Sequence, residues 1–138
     1  MTAGEIETHL YEAVKALHPP VTGGVYYRGM RPEQVPPLGT GEEDIVVAVT
    51  TGDGAQLQKG SCVVNVYVPD TPTASGAYLR NKRRTDQVEA WLDTVPDLIS
   101  NAGIVYKKSA LILTLPEENL RQHFASLKMD FQTYNDNF

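Results

Sequence analysis

Two segments of strict alternation constrain this chain more than any other feature. In residues 61–68, Cys62, Val64, Val66 and Val68 alternate with Val63, Asn65 and Tyr67. In residues 121–134, Ala125, Leu127, Met129 and Phe131 alternate with Ser126, Lys128, Asp130 and Gln132. Successive side chains of a strand point to opposite faces, so each segment carries one apolar face and one wetter face. Such patterning belongs to an antiparallel sheet packed on one side and solvated on the other.

Further strands join these. Residues 44–51 hold Ile45, Val46, Val47 and Val49, β-branched side chains that suit a pleated surface. With residues 61–68 they read as a hairpin turning at Gly52-Asp53-Gly54, or over a longer turn reaching Lys59. Pro69 and Pro72 end the second of these strands, because proline cannot donate to a ladder. Residues 25–28 read as a short strand after Gly23-Gly24. Residues 104–115 read as one strand with Leu111, Leu113 and Leu115 on one face, joined to residues 121–134 through a turn at Pro116-Glu117-Glu118-Asn119.

Two helices complete the pattern. Ile6, Leu10, Ala13, Val14 and Leu17 recur at helical spacing. Thr2 and Glu5 have the spacing of a capping box, and His18-Pro19-Pro20 ends the helix. Within residues 77–101, Val88, Trp91, Leu92, Val95 and Ile99 share one face. Pro96 is expected to end or kink that helix near Val95 and to allow a new start at Asp97. Residues 70–76 read as a polar loop. The expectation is a single α+β domain over 1–138, with a mostly antiparallel sheet of four to five strands and both helices on one face. Residues 29–43, rich in proline and glycine, read as an extended loop or exposed arm.

Composition narrows the function classes. A hydrophobic share of 41% and a charged share of 21% are those of a globular protein rather than a disordered one. A net charge of −5 argues against a general nucleic-acid binder, which must neutralise phosphates. No apolar run is long enough to span a bilayer, and the polar start lacks the basic and apolar stretches of a signal peptide. A lone cysteine, Cys62, fits a reducing compartment.

Motifs for chemistry are missing. His9, His18 and His123 lack zinc spacing, and Cys62 cannot supply a thiolate cluster, so no metal or cofactor is expected. Cys62 lies in an alternating strand, where cysteine acts as a small buried hydrophobe. Glu42, Glu43 and Asp44, like Glu117 and Glu118, read as solubilising charges beside exposed strands. Neither a P-loop nor a GxGxxG occurs. No catalytic residues are therefore assigned. An enzyme reading would need scattered residues, such as His123 with Glu117 or Glu118 in a deep pocket. A binding-module reading needs only a sheet edge or wet face that recruits a partner.

The organisation resembles the tail-terminator (tail-completion, minor tail) proteins of long-tailed bacteriophages and prophages. The resemblance covers most of the chain. It runs through the opening helix, Gly24-Val25-Tyr26-Tyr27-Arg28-Gly29-Met30-Arg31-Pro32, Asp44-Ile45-Val46-Val47 and Cys62-Val63-Val64-Asn65-Val66-Tyr67-Val68. It continues at Trp91-Leu92 and Phe124-Ala125-Ser126-Leu127-Lys128-Met129-Asp130-Phe131. It implies a structural, non-enzymatic virion protein, assembled in the bacterial host cytoplasm. Copies would form a closed ring, a hexamer, that caps the tail tube and meets the head-side connector. Its partners would be further copies of itself, the tail-tube protein and the connector protein, with DNA only passing through and no membrane involved. Head-to-tail contacts close into rings when their rotation allows. The residues expected at subunit or partner contacts are Tyr26, Tyr27, Arg28, Met30 and Arg31, of types enriched in interface cores; the equal alternative is local packing of a short edge strand. The basic cluster Arg80, Lys82, Arg83 and Arg84 reads first as the solvated opening turns of a helix, and alternatively as a contact patch for an acidic subunit or partner surface.

Overall fold

The computed structural model describes residues 1–32, 41–52 and 58–134. Along the chain run α1 (Ala3–Ala16), β1 (Val25–Tyr27), β2 (Ile45–Gly52), β3 (Lys59–Pro69), β4 (Thr71–Pro72) and β5 (Tyr78–Leu79). Then come α2 (Lys82–Ile99), β6 (Ile104–Lys108), β7 (Leu113–Glu117), a 3-10 turn (Glu118–Leu120) and β8 (Gln122–Thr133). The two alternating segments pair with each other as β3 and β8, from Lys59↔Gln132 to Pro69↔Gln122. This register sets Cys62 beside Met129, Val64 beside Leu127 and Val66 beside Ala125. The apolar halves of both alternations therefore form one surface, and the helices cover it.

The main sheet has six strands in the order β1-β2-β3-β8-β6, with β7 also on β8. Ile6, Leu10 and Val14 of α1 join Val88, Leu92, Val95 and Ile99 of α2 and the inward side chains of the sheet in one core. Sealing each such side chain from water contributes roughly 1.5–3 kcal/mol. The expected α+β architecture, with two helices on one face of a mostly antiparallel sheet, is the one the chain adopts.

Local chemistry explains the element ends. At α1 the Glu5 amide donates to Thr2 Oγ1 (3.2 Å) and the Thr2 amide donates to Glu5 Oε1 (3.0 Å), a complete capping box. Helix α2 starts at Lys82 rather than near residue 77. Tyr78–Leu79 is instead drawn into an antiparallel pair with Thr71–Pro72, inside the region expected to be loop and early helix. Asn81 then caps α2 by accepting from the Arg84 amide at 3.1 Å.

Pro96 neither ends α2 nor starts a new helix. The helix runs unbroken through it to Ile99, although proline loses its own amide bond and crowds the carbonyl four residues back. Its carbonyl still accepts from the Ser100 amide (3.2 Å) and hydroxyl (2.7 Å). Burial of the Pro96 ring offsets the lost bond.

Residues 104–115 do not form one strand. Both β6 and β7 run antiparallel to β8, but residues 109–112 stand opposite only Leu127 and Lys128. This two-residue excess breaks the ladder and adds the sixth strand. An even excess keeps the face of every side chain, so Val105, Leu113 and Leu115 all share the face opposite the helices.

Strand β1 is parallel to β2, the one parallel pairing in the main sheet among the described residues. Adjacent parallel strands need a long return connection, which accounts for the length of the tract between them. The arm expected over residues 29–43 falls partly, at 33–40, outside the described residues. Its described flanks fold back onto the domain.

Candidate functional site

The first candidate surface is the helix-free face of the sheet. It carries Val46 from β2, Val63, Asn65 and Tyr67 from β3, Phe124, Ser126, Lys128 and Asp130 from β8, and the odd-numbered residues of β6 and β7. Tyr67 and Phe124 are cross-strand partners with ring centroids 5.3 Å apart. Beside them Leu113 is 50% exposed and Leu115 is 40% exposed, with Val105 at 40% along the same line. Leu111, in the bulge, is 75% exposed. Leu113 and Leu115, expected to share one face of a strand, thus line the open side, while Ile104 and Tyr106 fill the core. A wide hollow of about 650 Å³ lies toward the far end of this face. Its opposite charges Lys107 and Asp130 are cross-strand partners, and its lining holds no histidine or cysteine.

The residues expected at contacts divide into two groups. Tyr27 stacks on Tyr11 of α1 with centroids 4.5 Å apart. Arg31 donates from Nε to Asp44 Oδ2 at 2.9 Å and lies over the Tyr67 ring, 4.3 Å from its centroid. Arg84 grips both oxygens of Glu43 (2.7 and 2.9 Å) and donates to the Pro20 carbonyl. These three hold the domain itself together. Tyr26 is half-buried over Gly24. By contrast Arg28, Met30, Arg80, Lys82 and Arg83 are exposed, with Lys82 bound to Asp86 in a surface pair at 2.7 Å. Such a pair contributes little. Of the nine residues, four are thus partly buried and five are exposed.

Asp44 and Glu43 were expected to be solubilising charges and are not. The Asp44 side chain is 3% exposed; it takes the Arg31 guanidinium and also accepts the Gly24 amide at 3.0 Å. Gly23 has to be glycine, because a Cβ there would collide with the Asp44 carboxylate and the Glu43 carbonyl. Contact with Glu43 raises the Arg84 pKa further, chiefly through the side-chain hydrogen bond.

The second candidate is a cleft of about 360 Å³ between the β4–β5 pair and the start of β8. It is lined by Asp70, Tyr78, Pro116, Arg121, Gln122 and His123 among others. His123 Nδ1 lies 2.6 Å from Asp70 Oδ1. The carboxylate on His123 is thus Asp70 and not Glu117; of the two considered from sequence, the Glu118 side chain lies outside the described residues. Register pairs Glu117 with Gln122, one position away. Asp70 is brought in by a backbone bond, its amide donating to the Arg121 carbonyl at 2.9 Å. Arg121 itself has a left-handed backbone, φ 52°, which costs a side-chain-bearing residue about 1 kcal/mol. Its guanidinium rests over Tyr78, 4.1 Å from the ring centroid. Gln122 is buried, and its Oε1 has no partner among the described residues. Asp70 and His123 are 53 positions apart, so sequence spacing carried no signal for this pair.

Cys62 and Tyr106 belong to the core, and His9 stacks on Tyr106. Burial pushes the Cys62 thiol up to about 12, with the Asp130 charge adding to the effect. Such a thiol is not a nucleophile at neutral pH. Tyr106 is raised and His9 lowered, both mainly by burial. They meet through a contact of 2.8 Å between His9 Nδ1 and the Tyr106 hydroxyl. Among the described residues no group of three or more His, Cys, Asp or Glu is placed to hold a metal ion, and no helix is long and apolar enough to cross a membrane.

The fold thus defines a two-layer α+β domain whose sheet, among the described residues, has helices on one face only. No protein-family model matches the chain, and comparison with curated proteins gives no significant match.

Proposed function

We propose that this chain is a structural subunit that works by self-assembly, forming a ring that closes a phage tail tube and joins it to the head connector. The observation that carries this reading is the exposure of Leu113 and Leu115 on the helix-free face, beside Tyr67 and Phe124, and of Val105 further along that face beyond Lys107. The chain places three large side chains there at a solvent exposure that its own packing does not need. Exposed apolar patches rimmed by charge mark association surfaces. Lys128 and Asp130 supply that rim with both signs, as a contact between copies of one chain requires. Arg28, Met30 and the exposed part of the basic cluster remain for a neighbouring copy or for the connector. The resemblance to tail terminators supplies the ring and the position in the virion, and the net charge of −5 suits a channel that must not hold passing DNA.

Native mass across a concentration series, followed by negative-stain imaging, tests the reading. A closed ring of copies is the expected result, and tail-tube subunits should bind one side of it. A strict monomer that ignores tail-tube subunits would remove the proposal. A second reading, a non-catalytic binding module, is favoured by one specific feature, the Arg121–His123 cleft.

A further inference from the structure

We propose that the cleft between the β4–β5 pair and the start of β8 is an oxyanion-binding site, in which Arg121 and His123 hold the anion. The guanidinium of Arg121 lies over the Tyr78 ring. A guanidinium engaged through its face keeps its in-plane N–H groups for a bidentate acceptor. Among the described residues, no carboxylate pairs with Arg121 and no side-chain hydrogen bond occupies those groups. An unpaired cation in a concave site is a binding element awaiting its counter-charge.

His123 supplies the second donor when protonated, because with Nδ1–H given to the carboxylate a neutral imidazole leaves only a lone pair at Nε2. Asp70 engages Nδ1 at 2.6 Å, which orients the imidazole and leaves Nε2 for a ligand. The pair is layered in the right order for an anion: the His123 side chain is 20% exposed and that of Asp70 only 9%. The carboxylate is thus the more enclosed of the two groups and the imidazole the more open. The walls are tied together by the hydrogen bond from the Asp70 amide to the Arg121 carbonyl, so the spacing of the two donors is built into the backbone. The left-handed backbone of Arg121 is a strained conformation of the sort that persists where a site needs it. At the mouth, a Cβ on Gly76 would meet nothing within 4 Å, so the entrance is open.

The fork of an arginine and an imidazole N–H suit the oxygens of a phosphate or of a carboxylate equally. The ligand is therefore either a free phosphate-type anion or a carboxylate presented by another chain. The site is complete within one copy, so it stands or falls independently of the ring.

The test is a titration of the whole chain with sodium phosphate and, separately, with sodium acetate, at ionic strength fixed by chloride. It is followed through the side-chain nitrogen resonances of Arg121 and His123. Saturating shifts at these two residues are expected, in the millimolar range. Arg121→Gln should weaken binding by about ten-fold or more, in line with loss of a charge-assisted bidentate pair. Lys15→Gln, on the exposed side of α1, should leave it unchanged. Tighter phosphate binding assigns a free anion; tighter acetate binding assigns a carboxylate from a partner. Shifts that rise linearly with both salts, or that persist in Arg121→Gln, overturn the proposal. Should Arg121→Gln fail to fold, Arg121→Lys serves instead. It keeps the charge and loses the fork, and unchanged affinity in that variant would equally overturn the site.

Discussion

On the helix-covered face of the sheet, Cys62, Val64, Val66, Leu127 and Met129 are sealed from solvent. On the other face the same two strands show Val63, Asn65, Tyr67, Phe124, Lys128 and Asp130, all reached by water to some degree. One pair of strands thus makes both surfaces, and only the phase of the alternation decides which residues hold the fold. The open face still carries more apolar area than solubility needs, because β7 adds Leu113 and Leu115 to it. The covered face explains why the chain folds, and the open face is where its function is to be sought.

The comparison is most sharply broken at one end of the open face, where Arg31 bridges from Tyr67 to the buried Asp44. There the open side has a buried element as demanding as the core. Asp44→Ala leaves the arginine without its counter-charge and removes the acceptor of the Gly24 amide. A loss of about 3–5 kcal/mol is expected, as for other broken buried pairs, read from the urea unfolding midpoint. A loss under about 1 kcal/mol would mean that the pair behaves as a surface one.

The covered face itself is tested by Leu127→Ala. Leu127 is fully buried between the helices and the sheet, and such truncations cost about 2–5 kcal/mol according to how far the site collapses. The same measurement on Val63→Ala, one strand over and on the open face, should give a clearly smaller loss. Equal losses would show that the two faces are packed alike.

Alkaline pH separates the faces by a different route. The Cys62 thiol belongs to the covered face and is held up to about 12 from its ordinary 9.0, chiefly by burial. Tyr106 beside it is raised as well, again mainly by burial. Between those values the native state keeps protons that the unfolded chain has released. Stability is therefore level below about pH 9 and falls as pH climbs toward 12, by up to about 1.4 kcal/mol per pH unit for each group. Urea midpoints from pH 8 to 11 measure the slope. Cys62→Ala should flatten it, whatever it does to the level at pH 8, and an unchanged slope would exclude the thiol as its source.

Much of this was legible in the sequence because local chemistry settled it. The Thr2–Glu5 box, the stripes of both helices and the two alternating strands needed nothing from the rest of the chain. What escaped depended on partners far along it. The break at residues 109–112 is set by register against β8, not by any helix-breaking or turn residue of its own. The roles of Asp44 and Glu43 came from Arg31 and Arg84, one across a connection and the other on a different helix. Pro96 misled because the rule against interior proline ignores the burial that offsets the lost bond. The cleft at Asp70, Arg121 and His123 is assembled by a backbone bond between distant strand ends, for which spacing gives no signal. The exposed leucines were visible, but periodicity alone could not say which face is covered.

The smallest expected effect on stability is therefore the most informative about function. In the double variant Leu113→Ser, Leu115→Ser, both side chains are already about half in water. Their removal should change stability by only about 0.5 kcal/mol per site, as for surface positions. If the open face joins copies of the chain, the same variant should lose self-association outright, because apolar anchors at the centre of a contact carry most of its energy. Sedimentation and urea unfolding on one preparation read both quantities. Association that survives would move the subunit contact away from β7, toward Arg28, Met30 and the basic start of α2. A large loss of stability would instead mean that these leucines are packed within the single chain, and the contrast between the two faces would fail at its most exposed point.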